Sequence, residues 1–187
     1  MRSALVLALV VLALPLQAQQ GSLTAAPSTR ATTTVTLNRP RVAGQPAPAP
    51  ITISVDYGQP HARGRAVPME LATDGTVWRT GANASTTFNT DVDLTIGGVA
   101  VPKGKYSLYT IREAGTYRLI INRNTGQWGT EYDATKDLAR VTLRARTDAP
   151  VMESLQIAFV PASEGPARGV LSIAWGTLVL TTDWSVR

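Results

Sequence analysis

Four side chains, His61, Arg79, Asn83 and Trp128, have the types and settings that could do chemistry. His61 is the chain's one histidine and lies in the segment Gln59-Pro60-His61-Ala62-Arg63-Gly64-Arg65. Histidine is the side chain that changes charge nearest neutral pH, which suits it to moving protons. A serine hydrolase would need a serine and an acid beside it, and no G-x-S-x-G elbow marks such a serine. One histidine in a chain without cysteine does not furnish a typical zinc site. The plain alternative is a surface histidine in a basic loop.

Arg79 and Asn83 belong to the densest candidate, Trp78-Arg79-Thr80-Gly81-Ala82-Asn83. At a strand end, successive side chains alternate, so Trp78 and Arg79 point to opposite faces. Gly81 and Asn83 then suit a turn with positive φ, which glycine adopts freely and asparagine tolerates. A guanidinium fork beside an amide matches a carboxylate or a set of sugar hydroxyls. The same residues also fit a structural corner, with Trp78 in the core, Arg79 paired to an internal acid and Asn83 capping the turn. Trp128 and Tyr132 fall in a long segment, Arg123 to Asp137, where a ring either stacks on a sugar or plugs an end of the fold.

Asp91 and Asp93 are two apart and would share one face of a strand, which is an exposed polar face unless a partner makes it a calcium or glycosidase site. No phosphate-binding or calcium-loop pattern occurs around Asn124 to Gly129. The residues name no cofactor and no catalytic set.

The elements that must position these side chains are strands. Ile51, Ile53, Val55 and Tyr57 alternate with Thr52, Ser54 and Asp56, the period of a half-buried strand, and Gly58 and Pro60 end it. Further strands are predicted over Thr76–Thr80, Ser85–Asn89, Val92–Ile96, Val99–Val101, Lys105–Arg112, Thr116–Asn122, Leu138–Thr147, Ser154–Val160, Gly169–Trp175 and Thr177–Trp184. Gly97-Gly98 is a two-residue hairpin signal, and Glu113-Ala114-Gly115 reads as a three-residue hairpin loop. The strands on either side of that loop carry apolar residues on both faces, which places them centrally. Many short strands without an amphipathic helix of ordinary length predict an all-β, two-sheet antiparallel sandwich, jelly-roll-like, with a closed barrel as the alternative.

Before Ile51 the composition differs. Residues 1–18 have the parts of a secretory signal: Arg2, an apolar run of about 11 residues from Ala4 to Leu14, Pro15, and Ala18 at a cleavage site. That run is far short of the roughly 20 residues of a spanning helix, so no membrane span is expected after cleavage. Residues 19–50 read as a Thr-, Ala- and Pro-rich linker, with Thr32–Leu37 as a candidate edge strand, and 51–187 as the globular domain. The net charge of +5 comes from 18 bases and 13 acids. Four of those bases precede Ile51 and all the acids follow it, leaving 14 bases against 13 acids and only +1 on the domain. A nucleic-acid partner is therefore not expected. The absence of cysteine leaves the core to hold the fold without disulfides.

The block VWRTGANASTTFNTDVDLTIGGVAVPKGKYSLYTI, with YGQPHARGR before it, INRNTGQWG after it and the pair Tyr132-Asp133, resembles a bacterial family catalogued as domain of unknown function twenty-nine-eleven. Gln59 stands where that family carries an arginine. The resemblance implies an exported β-rich domain and brings no activity, cofactor or catalytic residue with it. From the residues themselves, the leading expectation is a periplasmic or cell-surface binding module for a carbohydrate or other polar envelope ligand, with His61, Arg79, Asn83 and Trp128 as its ligand set. A hydrolase or lyase using His61 or a carboxylate pair, and a purely structural protein, are the alternatives.

Overall fold

The structure, a computed structural model, describes residues 23–64 and 73–187. The signal segment and Arg65 lie outside the described residues. Among the described residues thirteen strands follow one another: β1 (Ser28–Leu37), β2 (Ile51–Pro60), β3 (Val77–Trp78), β4 (Thr86–Thr90), β5 (Leu94–Ile96), β6 (Val99–Val101), β7 (Gly104–Glu113), β8 (Thr116–Asn122), β9 (Asp137–Thr142), β10 (Arg144–Arg146), β11 (Met152–Pro161), β12 (Arg168–Gly176) and β13 (Leu178–Val186). A 3-10 turn, Ala134–Lys136, precedes β9 and is capped by the Asp133 side chain.

The strands form two antiparallel sheets, a sandwich and not a closed barrel. The first runs β1-β2-β4-β7-β8-β9, and β3 pairs with the far half of β7. The second runs β11-β12-β13-β5-β6, and β10 pairs with β13. β1 pairs with β2 from Ser28 to Leu37, so the edge strand anticipated over 32–37 starts earlier and lies against the domain.

Period-two patterning explains which residues go inside. Ile53, Val55, Phe88, Leu108, Leu119 and Ile121 from the first sheet meet Leu94, Ile157, Phe159, Leu171, Leu180 and Trp184 from the second. Each inward face is apolar because alternate residues share a face. Two ring pairs cross between the sheets. Phe88 stacks on Phe159 at 5.4 Å, and Trp78 stacks on Trp175 at 5.9 Å. Such pairs are worth about 0.5–1.5 kcal/mol each beyond the area they bury.

β7 and β8 are central, as their doubly apolar patterning requires. Their outward residues Tyr109, Ile111 and Ile120 form a second, smaller core with Val77 and Tyr132. The segment between β8 and β9 supplies Tyr132 to this cluster, and so lies over the outer face of the first sheet. That cover is what creates the site.

Two turns differ from expectation. The β7–β8 hairpin has a two-residue loop, since Glu113 pairs with Thr116. Ala114 and Gly115 both take positive φ, 47° and 77°, as a primed turn demands. Asp91 and Asp93 fall between β4 and β5, not on a strand face. Asp91 accepts from the Thr52 backbone and hydroxyl, and Asp93 accepts from the Lys103 amide. Both carboxylates anchor turns, and among the described residues no group of three His, Asp or Glu side chains is placed to hold a metal ion.

Candidate functional site

The chain leaves β3 at Trp78 and enters β4 at Thr86, and the seven residues between must turn a corner beside β7. Thr80 and Asn83 carry the positive φ of that corner, 51° and 63°. Gly81 does not, which corrects the expectation that its freedom would be used there. Gly81 is needed for closeness: a Cβ would approach the Thr86 hydroxyl to 2.7 Å and the Gly58 carbonyl to 3.0 Å. The Ala82 amide donates to that same Gly58 carbonyl at 3.0 Å, docking the corner on β2.

Positive φ at a β-branched threonine is a sparsely populated conformation that costs on the order of 1–3 kcal/mol and persists only where neighbours over-determine it. Thr80 is fully buried, its hydroxyl is 2.8 Å from the Thr110 hydroxyl, and its carbonyl accepts from Thr86 Oγ at 2.8 Å. These contacts hold the turn in place and aim Arg79 outward, on the same face as Val77 and Tyr109.

The segment after β8 is laid along this corner. Gln127 accepts from the Ser85 amide at 3.1 Å, Trp128 bridges to Ala84, and the Gly129 amide donates to the Asn83 carbonyl at 3.0 Å. Beneath it, the Gln127 amide donates to the Tyr109 phenol at 2.8 Å and to the Ser107 hydroxyl at 3.3 Å. Gly129 is obligatory, because a Cβ would come within 2.5 Å of Arg79 Cδ and 2.6 Å of the Asn83 carbonyl oxygen. Backbone contacts thus bring the Asn83 and Trp128 segments beside Arg79, but of the four sequence candidates only Arg79 is a wall of the cavity formed there.

Between the corner and this segment lies a cavity of about 150 Å³, walled by Val77, Trp78, Arg79, Tyr109, Gly129, Thr130 and Tyr132. Tyr132 tilts against Tyr109 with ring centroids 4.9 Å apart. Its phenol donates to Asp137 at 2.7 Å and accepts from Arg140 at 3.1 Å. Burial, reinforced by the bond to Asp137, pushes the Tyr132 phenol up to about 12. Burial also raises Tyr109, against the Gln127 hydrogen bond and with help from the Glu131 charge. Both phenols are neutral wherever the protein is folded near neutral pH.

Arg79 is half-buried, and among the described residues its guanidinium makes no hydrogen bond or ion pair. The two other half-buried arginines there do pair, Arg112 with Asp74 and Arg118 with Glu113. Asn83 is exposed and its side-chain amide also has no hydrogen-bond partner among the described residues. Trp128 is 51% exposed, so it does not plug the fold, and it is not a wall of the cavity.

His61 is placed elsewhere. It pairs with Ser154 of β11, and its Nδ1 lies 2.7 Å from the Ser154 hydroxyl. Around it the Ala62 amide donates to the Glu153 carbonyl, the Arg63 amide donates to the Glu153 carboxylate, and Gln59 donates to the Leu155 carbonyl. This set joins the end of β2 to the other sheet, and His61 is not a wall of the cavity. Tyr109 and Thr130 were not among the sequence candidates, and Tyr132 was singled out only as a ring in the Arg123–Asp137 segment. Apolar residues on both faces of β7 were the available signal that some segment must cover Tyr109.

The fold and this corner define the chain as a two-sheet β-sandwich with a small, cation-bearing cavity on the outer face of its first sheet. The chain belongs to the family described as "Protein of unknown function (DUF2911)", whose model matches residues 30–183, from β1 into β13. No curated protein and no solved structure matches it.

Proposed function

We propose that this domain is a ligand-binding module of the periplasm or cell surface, and that it takes a saccharide or other polar envelope component in the cavity between the 79–85 corner and the 127–132 segment. The observation that carries this reading is Arg79, a half-buried cation with no partner among the described residues, standing in a cavity with aromatic walls. Burying part of a charge without pairing it is unfavourable, and a ligand group would relieve it. Trp128, exposed and preceding the wall residue Gly129 in sequence, offers a flat apolar face to a second unit of a larger ligand. The walls bring a cation, neutral phenols and a threonine, and no group suited to moving a proton near neutral pH, which favours binding over turnover.

Export rests on the signal segment at residues 1–18, and among the described residues no helix is long and apolar enough to cross a membrane. A thermal-shift screen of the purified protein against envelope saccharides tests the binding reading. A stabilising saccharide whose effect is lost in Arg79→Gln and Trp128→Ala supports it. No stabilisation by any of them, or equal stabilisation of both folded variants, contradicts it. Cell fractionation, with the mass of the exported chain, tests the compartment: a chain retained in the cytoplasm at full mass would contradict export.

A further inference from the structure

We infer that the cavity selects a single six-membered ring bearing a carboxylate, with the carboxylate on Arg79 and the ring lying against the Tyr109–Tyr132 pair, which lines the same cavity. This rests on the binding reading above and names the class of ligand. Size is the first constraint. A cavity of about 150 Å³ is the volume that holds one benzene-sized ring. One ring fills it, and any further unit of a longer ligand extends out of the cavity beyond its Gly129–Thr130 wall.

Charge is the second constraint. A guanidinium is planar, permanently charged and matched to a carboxylate through two parallel hydrogen bonds. The acids of this region are committed to other partners. Asp137 accepts from Tyr132, Arg140 and Asn122; Glu113 pairs with Arg118 and Arg140; Asp133 caps the 3-10 turn. Glu131 is exposed and is not a wall of the cavity. No internal carboxylate is thus placed to neutralise Arg79, although the fold pairs both other half-buried arginines of its described residues. The walls next to it are aromatic or small, which suits a ring's faces better than its polar edge. Tyr109 and Tyr132 already hold their phenols to Gln127 and Asp137. That leaves the guanidinium as the strongest polar anchor.

Two sources share this chemistry, a uronic acid and an aromatic acid, and calorimetric titration with glucuronate, glucose and benzoate separates them. The inference expects glucuronate or benzoate to bind about tenfold or more tightly than glucose, the usual advantage of a hydrogen bond to a charged group. Glucuronate as the tighter acid identifies a saccharide, and benzoate as the tighter acid identifies an aromatic ligand. Arg79→Gln, checked for folding by its thermal midpoint, brings the acid down to the level of glucose. Arg79→Lys keeps the charge and loses the fork, and binds the acid roughly tenfold more weakly than the parent. Should Arg79→Gln fail to fold, an unchanged affinity in Arg79→Lys overturns the inference. Glucose binding as tightly as glucuronate overturns it too, while leaving the binding reading intact. If none of the three binds, both fall.

Discussion

The corner at residues 79–85 and the bridge at His61 start alike and end differently. Each follows a strand of the first sheet, each carries a side chain suited to chemistry, and each is docked by backbone hydrogen bonds onto a neighbouring segment. At the bridge the functional-looking side chain joins the docking, since His61 meets the Ser154 hydroxyl between the two sheets. At the corner, buried Thr80 and the backbone groups of Ala82, Asn83, Ala84 and Ser85 do the docking, and the side chains of Arg79, Asn83 and Trp128 are left over. What distinguishes a site from a seam here is not residue type. It is whether the polar side chain remains uncommitted once the backbone is held.

That contrast can be broken at its shared support. Gly58 lies on β2 between the two regions, and a Cβ there would run into the Ala82 carbonyl. Gly58→Ala is expected to destabilise the protein by about 3 kcal/mol, which lowers the thermal midpoint by roughly 10 °C. A midpoint within a degree or two of the parent would show that the corner is not docked as described. Thr110→Val removes the hydroxyl that meets Thr80 in the interior. Chemical denaturation should show a loss of about 1–2 kcal/mol, because a buried hydroxyl loses its partner.

Ser154→Ala sharpens the comparison from the other side. It should cost about 1 kcal/mol through the lost hydrogen bond to His61 and leave glucuronate affinity unchanged. Reduced affinity would return His61 to the site. Trp128→Ala should do the reverse. Its ring is half out of the protein, so stability should stay within about 0.5 kcal/mol of the parent, while binding of a saccharide longer than one unit weakens about tenfold.

The smallest effect concerns pH. Tyr132 holds its proton to about 12, above the ordinary 10.0, through burial first and then the bond to Asp137. A phenol raised on folding stabilises fully below its unfolded value, and that contribution is lost as pH climbs from about 10 to about 12. Ultraviolet titration of the tyrosinate band should show a late-ionising phenol that is missing in Tyr132→Phe.

Much of this architecture is legible from period-two patterning alone. Ile51 to Tyr57, Thr116 to Asn122 and the Gly97-Gly98 turn read correctly, because alternation and glycine pairs report local sterics. Local rules failed where tertiary contacts decided the backbone. Positive φ went to Thr80 because its hydroxyl and carbonyl are both held in the interior, and nothing near it in sequence announces Thr110 as its partner. Ala114 took a primed-turn position because the β7–β8 register ran one residue further than glycine preference suggested. Asp91 and Asp93 left the strand for the turn, where backbone amides needed acceptors. Of the site, Arg79, Asn83 and Trp128 were visible as residue types, but their meeting depends on Gly129 fitting against Arg79, a contact fifty residues apart. His61 looked no different in sequence. Only its partner on β11 separates it from them.

The most direct measurement is a proton–nitrogen correlation spectrum of the labelled protein titrated with glucuronate. Shifts are expected at the Arg79 side-chain Nε–H and at the amides of Gly129, Thr130 and Tyr132, with His61 and Ser154 unmoved. Shifts centred on His61 and Ser154, or a spectrum unchanged at saturating glucuronate, would contradict binding at Arg79.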